Sequence, residues 1–131
     1  MNELKVFEKN GQLLTDSREV AKMIGKEHFH LMRDISSYMK VLNGIETEDS
    51  DESKIGFVKN SRLKIKPSDF FLESTYLDGK GEIRPCCLLT KKGCDMVANK
   101  LTGQKGVLFT AAYVTAFEQM RERIKTGKAL P

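Results

Sequence analysis

Thr15-Asp16-Ser17-Arg18-Glu19-Val20-Ala21-Lys22-Met23-Ile24-Gly25-Lys26-Glu27-His28 sets a helix start, a helix stop and a second helix start within fourteen residues. Thr15, Asp16 and Ser17 offer short oxygen-bearing side chains where a helix needs acceptors for its free amides, and Glu19 lies three residues after Asp16 in capping-box position. Val20, Ala21 and Ile24 share one face of the short helix that follows, and Gly25 is placed to end it. Beyond the Gly25-Lys26-Glu27 turn, Leu31, Ile35, Tyr38, Met39 and Leu42 recur at three- and four-residue spacing. That period predicts a longer helix over residues 28 to 42, closed by Gly44. A small residue in the first helix, Ala21, followed four positions later by a glycine gives the pair the spacing of a helix-turn-helix.

Ahead of this stretch, residues 4 to 15 read as a β-hairpin, because Leu4, Val6, Leu13 and Leu14 flank Asn10-Gly11, a dipeptide suited to a type I′ turn. Downstream, residues 70 to 72 and 83 to 89 bracket the turn-rich Asp78-Gly79-Lys80-Gly81 as a second hairpin, and Pro85 predicts that its second strand is an edge or begins late. Thr90 then caps a helix carrying Met96, Val97 and Leu101, which Gly103 terminates. A last helix, over about residues 104 to 125, places Phe109, Tyr113, Ala116, Phe117, Met120 and Ile124 in one stripe, with Glu118, Glu122 and Lys125 facing away. Residues 55 to 58 and 63 to 66 read as short strands beside an acidic loop. The expected fold class is α+β: an N-terminal β-hairpin, a helix-turn-helix-like helix pair, a second β-hairpin and two C-terminal helices. Residues 1–125 are expected to form one domain, and 126–131 a tail or linker.

The 131 residues suffice for one hydrophobic core, and 40% apolar with 31% charged residues is a globular composition. The net charge of +4 is unevenly placed. Glu46, Glu48, Asp49, Asp51 and Glu52 fall within seven residues that hold no cation, which leaves the rest of the chain at +9. No window approaches the roughly 18 uninterrupted apolar residues of a membrane span, and no basic-then-apolar leader opens the chain. The expectation is a cytoplasmic protein without membrane contact. Three cysteines, two of them adjacent, make no disulfide framework and fit a reducing compartment. Absence of Trp argues against an aromatic platform for sugars or single strands.

At 100° per residue the second helix presents His30, Arg33, Ser37 and Lys40 opposite its apolar side, a polar stripe of the length that fits a major groove. These four are the candidate base-reading residues, with Arg33 suited to a bidentate contact with guanine and Lys40 better suited to phosphate. Lys26, Lys59, Arg62, Lys64 and Lys66 are the candidate phosphate contacts, since the last four alternate with apolar residues along a strand-like run. The same run also fits a solvated edge strand guarded by lysines, or one paired with the acidic loop. His28 and His30 with Cys86, Cys87 and Cys94 lack zinc-ligand spacing, so no metal or cofactor is expected and the cysteines read as small core residues. His28 falls on the inner side of its helix, in a capping or packing role. No nucleophile elbow, phosphate loop or metalloprotease motif occurs, and the chain is not expected to be an enzyme. Asp78 to Gly81 reads as a hairpin tip, able to reach a groove like the wing of a winged helix.

These residues resemble the Rha family of phage regulatory proteins. Ser17-Arg18-Glu19-Val20-Ala21, Gly25-Lys26-Glu27-His28 and Arg33-Asp34-Ile35 are similar to the family's Ser-Arg-x-Val-Ala, Gly-Lys-x-His and Arg-Asp-Ile elements. Phe71 to Tyr76, Asp78 to Gly81, Pro85, Leu89 to Gly93, Thr102-Gly103 and Tyr113 to Met120 match its later strand, turn and helix signatures in order. Against that pattern residues 43–66 read as an insertion. Many relatives also continue into a C-terminal domain, so the chain is either a minimal or a truncated member. The resemblance implies a phage- or prophage-encoded regulator, related to phage antirepressor and KilA-N-like modules, acting in a bacterial host. The expected function is duplex-DNA binding through the helix-turn-helix-like element to control transcription. The alternative is a protein-binding antirepressor or host-factor inhibitor that works without DNA contact, using the acidic loop. The last helix allows either of two roles for Phe109, Tyr113, Phe117 and Met120: closing the core or pairing two copies as a homodimer.

Overall fold

The computed structural model describes residues 3–46 and 65–127. The strand expected over residues 55 to 58, the acidic run beyond Glu46, and Lys59, Arg62 and Lys64 lie outside the described residues. Asn10 and Gly11 take φ angles of 53° and 81°, the positive values a two-residue hairpin turn requires. They join β1 (Phe7–Lys9) to β2 (Gln12–Asp16) in the register Phe7↔Leu14 to Lys9↔Gln12. The hairpin is shorter than expected, since Leu4 and Val6 are buried ahead of β1 without joining the sheet.

β2 passes directly into α1 (Ser17–Ile24), whose amide at Arg18 is capped by the Asp16 carboxylate at 2.8 Å. Gly25 closes it at φ 70°, its amide reaching the carbonyls of Ala21 and Lys22. A side chain there would be strained, because L-residues rarely adopt that region. α2 (His28–Glu46) starts where the periodicity places it but does not stop at Gly44. Gly44 has no positive φ and continues the helix as an ordinary interior residue.

Pro67–Asp69 forms a single 3₁₀ turn before β3 (Phe71–Leu77), and the expected strand over 63 to 66 is not continued by Ile65 or Lys66. β3 pairs with β4 (Ile83–Leu89) over its whole length, from Phe71↔Leu89 to Leu77↔Ile83. The sheet order is β1-β2-β4-β3, antiparallel throughout. β4 is therefore interior and begins before Pro85, contrary to the expectation of an edge or a late start. β2 meets β4 only at Thr15↔Leu89 and Asp16↔Leu88, so the strand has no second neighbour at Pro85 to demand the missing amide.

Thr90 caps α3 (Lys91–Asn99), accepting the Gly93 amide at 3.1 Å and donating its hydroxyl to the Asp69 carbonyl at 2.6 Å. Gly93 lets α3 sit against the start of β3, since an added Cβ would overlap the Phe70 carbonyl oxygen. The last helix is α4 (Gly103–Thr126). Gly103, at φ 65°, opens α4 rather than terminating α3, which stops at Asn99 and leaves Leu101 in the connection. The reason is local: the amides of Lys100 and Leu101 fold back onto Val97 and Ala98 in a tight turn.

The core forms where the four helices meet the paired ends of β2, β3 and β4. Val20, Leu31, Ile35, Phe71, Leu89, Cys94, Phe109 and Phe117 are all buried within it. Each large apolar side chain of this kind contributes about 1.5–3 kcal/mol on burial. Phe109, Tyr113 and Phe117 face inward with Met120 half-buried, so the α4 stripe closes the core and its aromatics are not free to pair two copies. Cys86, Cys87 and Cys94 are buried free thiols, as their core reading anticipated. Burial pushes the Cys87 thiol up to about 12, so it stays protonated and inert.

Candidate nucleic-acid interface

The turn between α1 and α2 is held by side chains from the motif that opened the sequence. The buried Ser17 hydroxyl accepts the backbone amide of Cys87 at 3.0 Å and shares a 2.8 Å hydrogen bond with Nε2 of His28. One oxygen thereby ties α1 to β4 and to the start of α2. Lys26 reaches forward to the Asp34 carboxylate at 2.7 Å, bracing the turn against the second turn of α2. Arg18 doubles back on Asp16 through Nε and a terminal nitrogen, at 3.0 and 2.8 Å. Its guanidinium carbon lies 3.9 Å from the centre of the Tyr76 ring, a cation–π contact that fastens α1 to β3.

This cluster sets the local electrostatics. Burial works against the charge on Asp16, but the Arg18 side chain and amide outweigh it and hold the carboxyl below its ordinary range. His28 is pushed down chiefly by burial, with Arg18 adding to the shift and Asp16 opposing it. The ring is therefore neutral at pH 7, in the packing role the sequence suggested. Asp16, Arg18, His28 and Tyr76 also line an open cleft of about 450 Å³ together with Lys22 and Lys26.

The outer face of α2 carries the expected base-reading set. Arg33, Ser37 and Lys40 are exposed, while His30 is only half so, its ring 4.0 Å from that of Phe29. Arg33 makes no hydrogen bond or ion pair among the described residues. Of the expected phosphate contacts, Lys26 is engaged by Asp34, and Lys66 is exposed just ahead of the 3₁₀ turn. Among the described residues, the structure thus brings Arg33, Ser37 and Lys40 onto one face and leaves Lys66 on another segment.

Sequence reasoning missed two features of this helix. Phe29 and Val41, 65% and 64% exposed, flank the polar stripe, and their departure from the core period was the available signal. On another side of α2, Met32, Ile35 and Met39 face Thr75 and Pro85 of the second hairpin across a groove of about 520 Å³. The hairpin tip is a closed turn: the Asp78 carboxylate accepts the amides of Lys80 and Glu82 and the Arg84 side chain. Among the described residues no group of three or more His, Cys, Asp or Glu is arranged to hold a metal, and no helix is long and apolar enough to cross a membrane.

A hairpin running into a glycine-joined helix pair, a second hairpin and two closing helices define a small α+β fold that leaves the polar outer face of α2 exposed. Residues 15–122 match the family described as phage regulatory protein Rha, and the chain belongs to that family. It is 47% identical over 127 residues to the "SPbeta prophage-derived putative antirepressor protein YoqD" of Bacillus subtilis (strain 168), covering 97% of this chain and 43% of that protein. An "Uncharacterized protein" of Haemophilus influenzae (strain ATCC 51907 / DSM 11121 / KW20 / Rd) is 27% identical over 122 residues, covering 93% of this chain and 59% of that protein. The chain thus spans about half the length of these curated relatives. No solved structure matches it.

Proposed function

We propose that this chain is the DNA-binding part of a phage or prophage regulator and docks the outer face of α2 in the major groove to control transcription. The observation that carries the reading is the isolation of Arg33. Ser17, Arg18, Lys26, His28 and Asp34, its companions in the matching motifs, are all bound to partners within the domain. Arg33 alone among them is exposed and unpaired among the described residues, on the second turn of a helix tied down by Ser17 at His28 and by Lys26 at Asp34. A planar guanidinium held in that way is suited to the O6 and N7 acceptors of guanine. Ser37 and Lys40 extend the same stripe, and His30 lies at its start. Lys59, Arg62, Lys64 and Lys66 supply phosphate contacts on this reading, whereas Lys26 serves first as the brace for Asp34.

The test begins with selection of a preferred duplex from a random pool. Arg33→Ala is then expected to cost about 1–3 kcal/mol on that duplex while leaving thermal unfolding unchanged. Equal loss on random duplex makes Arg33 a phosphate contact, and absence of any binding at low salt removes the DNA reading altogether.

A second reading is a protein-binding antirepressor. Exposed Phe29 and Val41 and the methionine-lined groove beside α2 favour it, because such surfaces adapt to apolar partner side chains. Phe29→Ser would impair regulation without altering DNA affinity in that case.

A further inference from the structure

We propose a second, sequence-indifferent DNA contact in the cleft between the first hairpin, the start of α3 and the end of α4. The cleft measures about 700 Å³ and takes no residue from α1 or α2. Lys91 and Lys92 enter it from the first turn of α3, and Arg121 and Lys125 from the last turns of α4; Glu8 and Asp69 are the carboxylates at its wall. Lys92, Arg121 and Lys125 form no ion pair among the described residues, and Lys91 has only a 3.7 Å exposed pairing with Asp95.

The helix end adds to this charge. Thr90 satisfies the Gly93 amide, so the amides of Lys91 and Lys92 have no acceptor within α3 and the positive end of its dipole lies at the cleft. Three unpaired cations, a fourth weakly held and two free amides, against two carboxylates, complement a string of phosphodiesters rather than a neutral or cationic partner. No base-reading geometry accompanies them, since the cations stand on two separate helix ends rather than along one exposed helical stripe.

The cleft also supplies what the α2 face lacks. With Lys26 paired to Asp34, that face offers Arg33 and Lys40 as free cations, and Arg33 is assigned to a base. Duplex affinity rises with the number of phosphates neutralised, so the cleft would strengthen binding beyond what that face and the proposed Lys59, Arg62, Lys64 and Lys66 contacts supply. The cleft is given this role on the reading that the chain binds DNA, and the experiment separates the two.

Fluorescence anisotropy of the full chain on a labelled random duplex, at salt from 50 to 200 mM, measures the affinity and its salt slope. Lys92→Glu/Arg121→Glu is expected to lower affinity at least about tenfold at low salt and to flatten the slope by roughly 1.8, two contacts at 0.9 each. Lys92→Gln/Arg121→Gln should show a smaller loss in the same direction, and circular dichroism should be unchanged, since both side chains are exposed. Arg33→Ala in the same assay should leave most of the slope intact. An unaltered slope after charge reversal overturns the cleft contact alone and leaves the α2 reading standing. Loss through the cleft variants, with Arg33→Ala neutral on every duplex, supports the cleft and overturns the α2 reading. If the unmodified chain binds no duplex at 50 mM salt, both fall.

Discussion

Ser17→Ala removes a single oxygen, and its expected cost can be worked from the three groups that oxygen serves. The Cys87 amide is buried in β4 and has the Ser17 hydroxyl as its acceptor at 3.0 Å. Leaving such a donor unsatisfied costs about 1–3 kcal/mol. His28 loses its 2.8 Å partner as well, but the ring is partly exposed and can turn to water, so it adds little. The 3.6 Å contact with Met32 sulfur adds less. Alanine keeps the Cβ and its helix propensity, so no cavity or backbone term intrudes, and the sum is about 2 kcal/mol. Urea unfolding should show a lowered midpoint with unchanged m-value, and Ser37→Ala, on the exposed face of α2, should stay within about 0.5 kcal/mol of the parent. A double cycle with His28→Gln should reveal only a small coupling, below about 0.5 kcal/mol. The pH dependence gives a separate check. Because the folded state lowers the His28 pKa, it favours the neutral ring. That stability is fully present above the unfolded value near 6.5 and is lost as pH falls through the folded pKa. His28→Gln should flatten the stability profile in that window, while Asp16, also lowered when folded, governs a more acidic one. A Ser17→Ala loss below 0.5 kcal/mol, or a profile unchanged by His28→Gln, would refute the linchpin role of this pair.

Gly93→Ala should destabilise far more than its size suggests, because the new methyl overlaps the Phe70 carbonyl oxygen and crowds the Phe71 ring. A loss of about 3 kcal/mol or failure to express folded protein is expected, and near-neutral thermal denaturation would show that α3 can shift away from β3. Lys26→Met and Asp34→Asn, singly and together, should couple by no more than about 1 kcal/mol because both side chains are partly exposed. Freed from Asp34, however, Lys26 in the Asp34→Asn variant should tighten binding to random duplex, and unchanged affinity would place Lys26 away from any phosphate.

The elements were legible wherever a local signal had a local cause. Asp16, Gly25, Thr90 and the Asn10-Gly11 pair each fix a cap or turn through their own backbone chemistry, and the structure places all of them as the sequence implied. Gly44 and Gly103 misled for the complementary reason: a glycine permits a helix end but does not enforce one, and the neighbouring turn decides. Pro85 misled because a strand's position in a sheet depends on how far its neighbour extends, and β2 ends its pairing at Asp16↔Leu88. Arg33, Ser37 and Lys40 were legible as a face from helical period alone. The sequence could not show that Arg33 stands free while Lys26 is bound, nor that Lys92 of α3 and Arg121 of α4, 29 positions apart, line one cleft.

Propensity, capping and period act over a few residues, and from them alone the α+β class, the order of the elements, the family resemblance and the polar face of α2 can be read. Which charged groups are neutralised by partners and which remain for a ligand follows from packing: Ser17, bonded to Cys87 seventy positions away, fixes the turn across which Lys26 meets Asp34, and α3 against α4 brings Lys92 and Arg121 to one cleft.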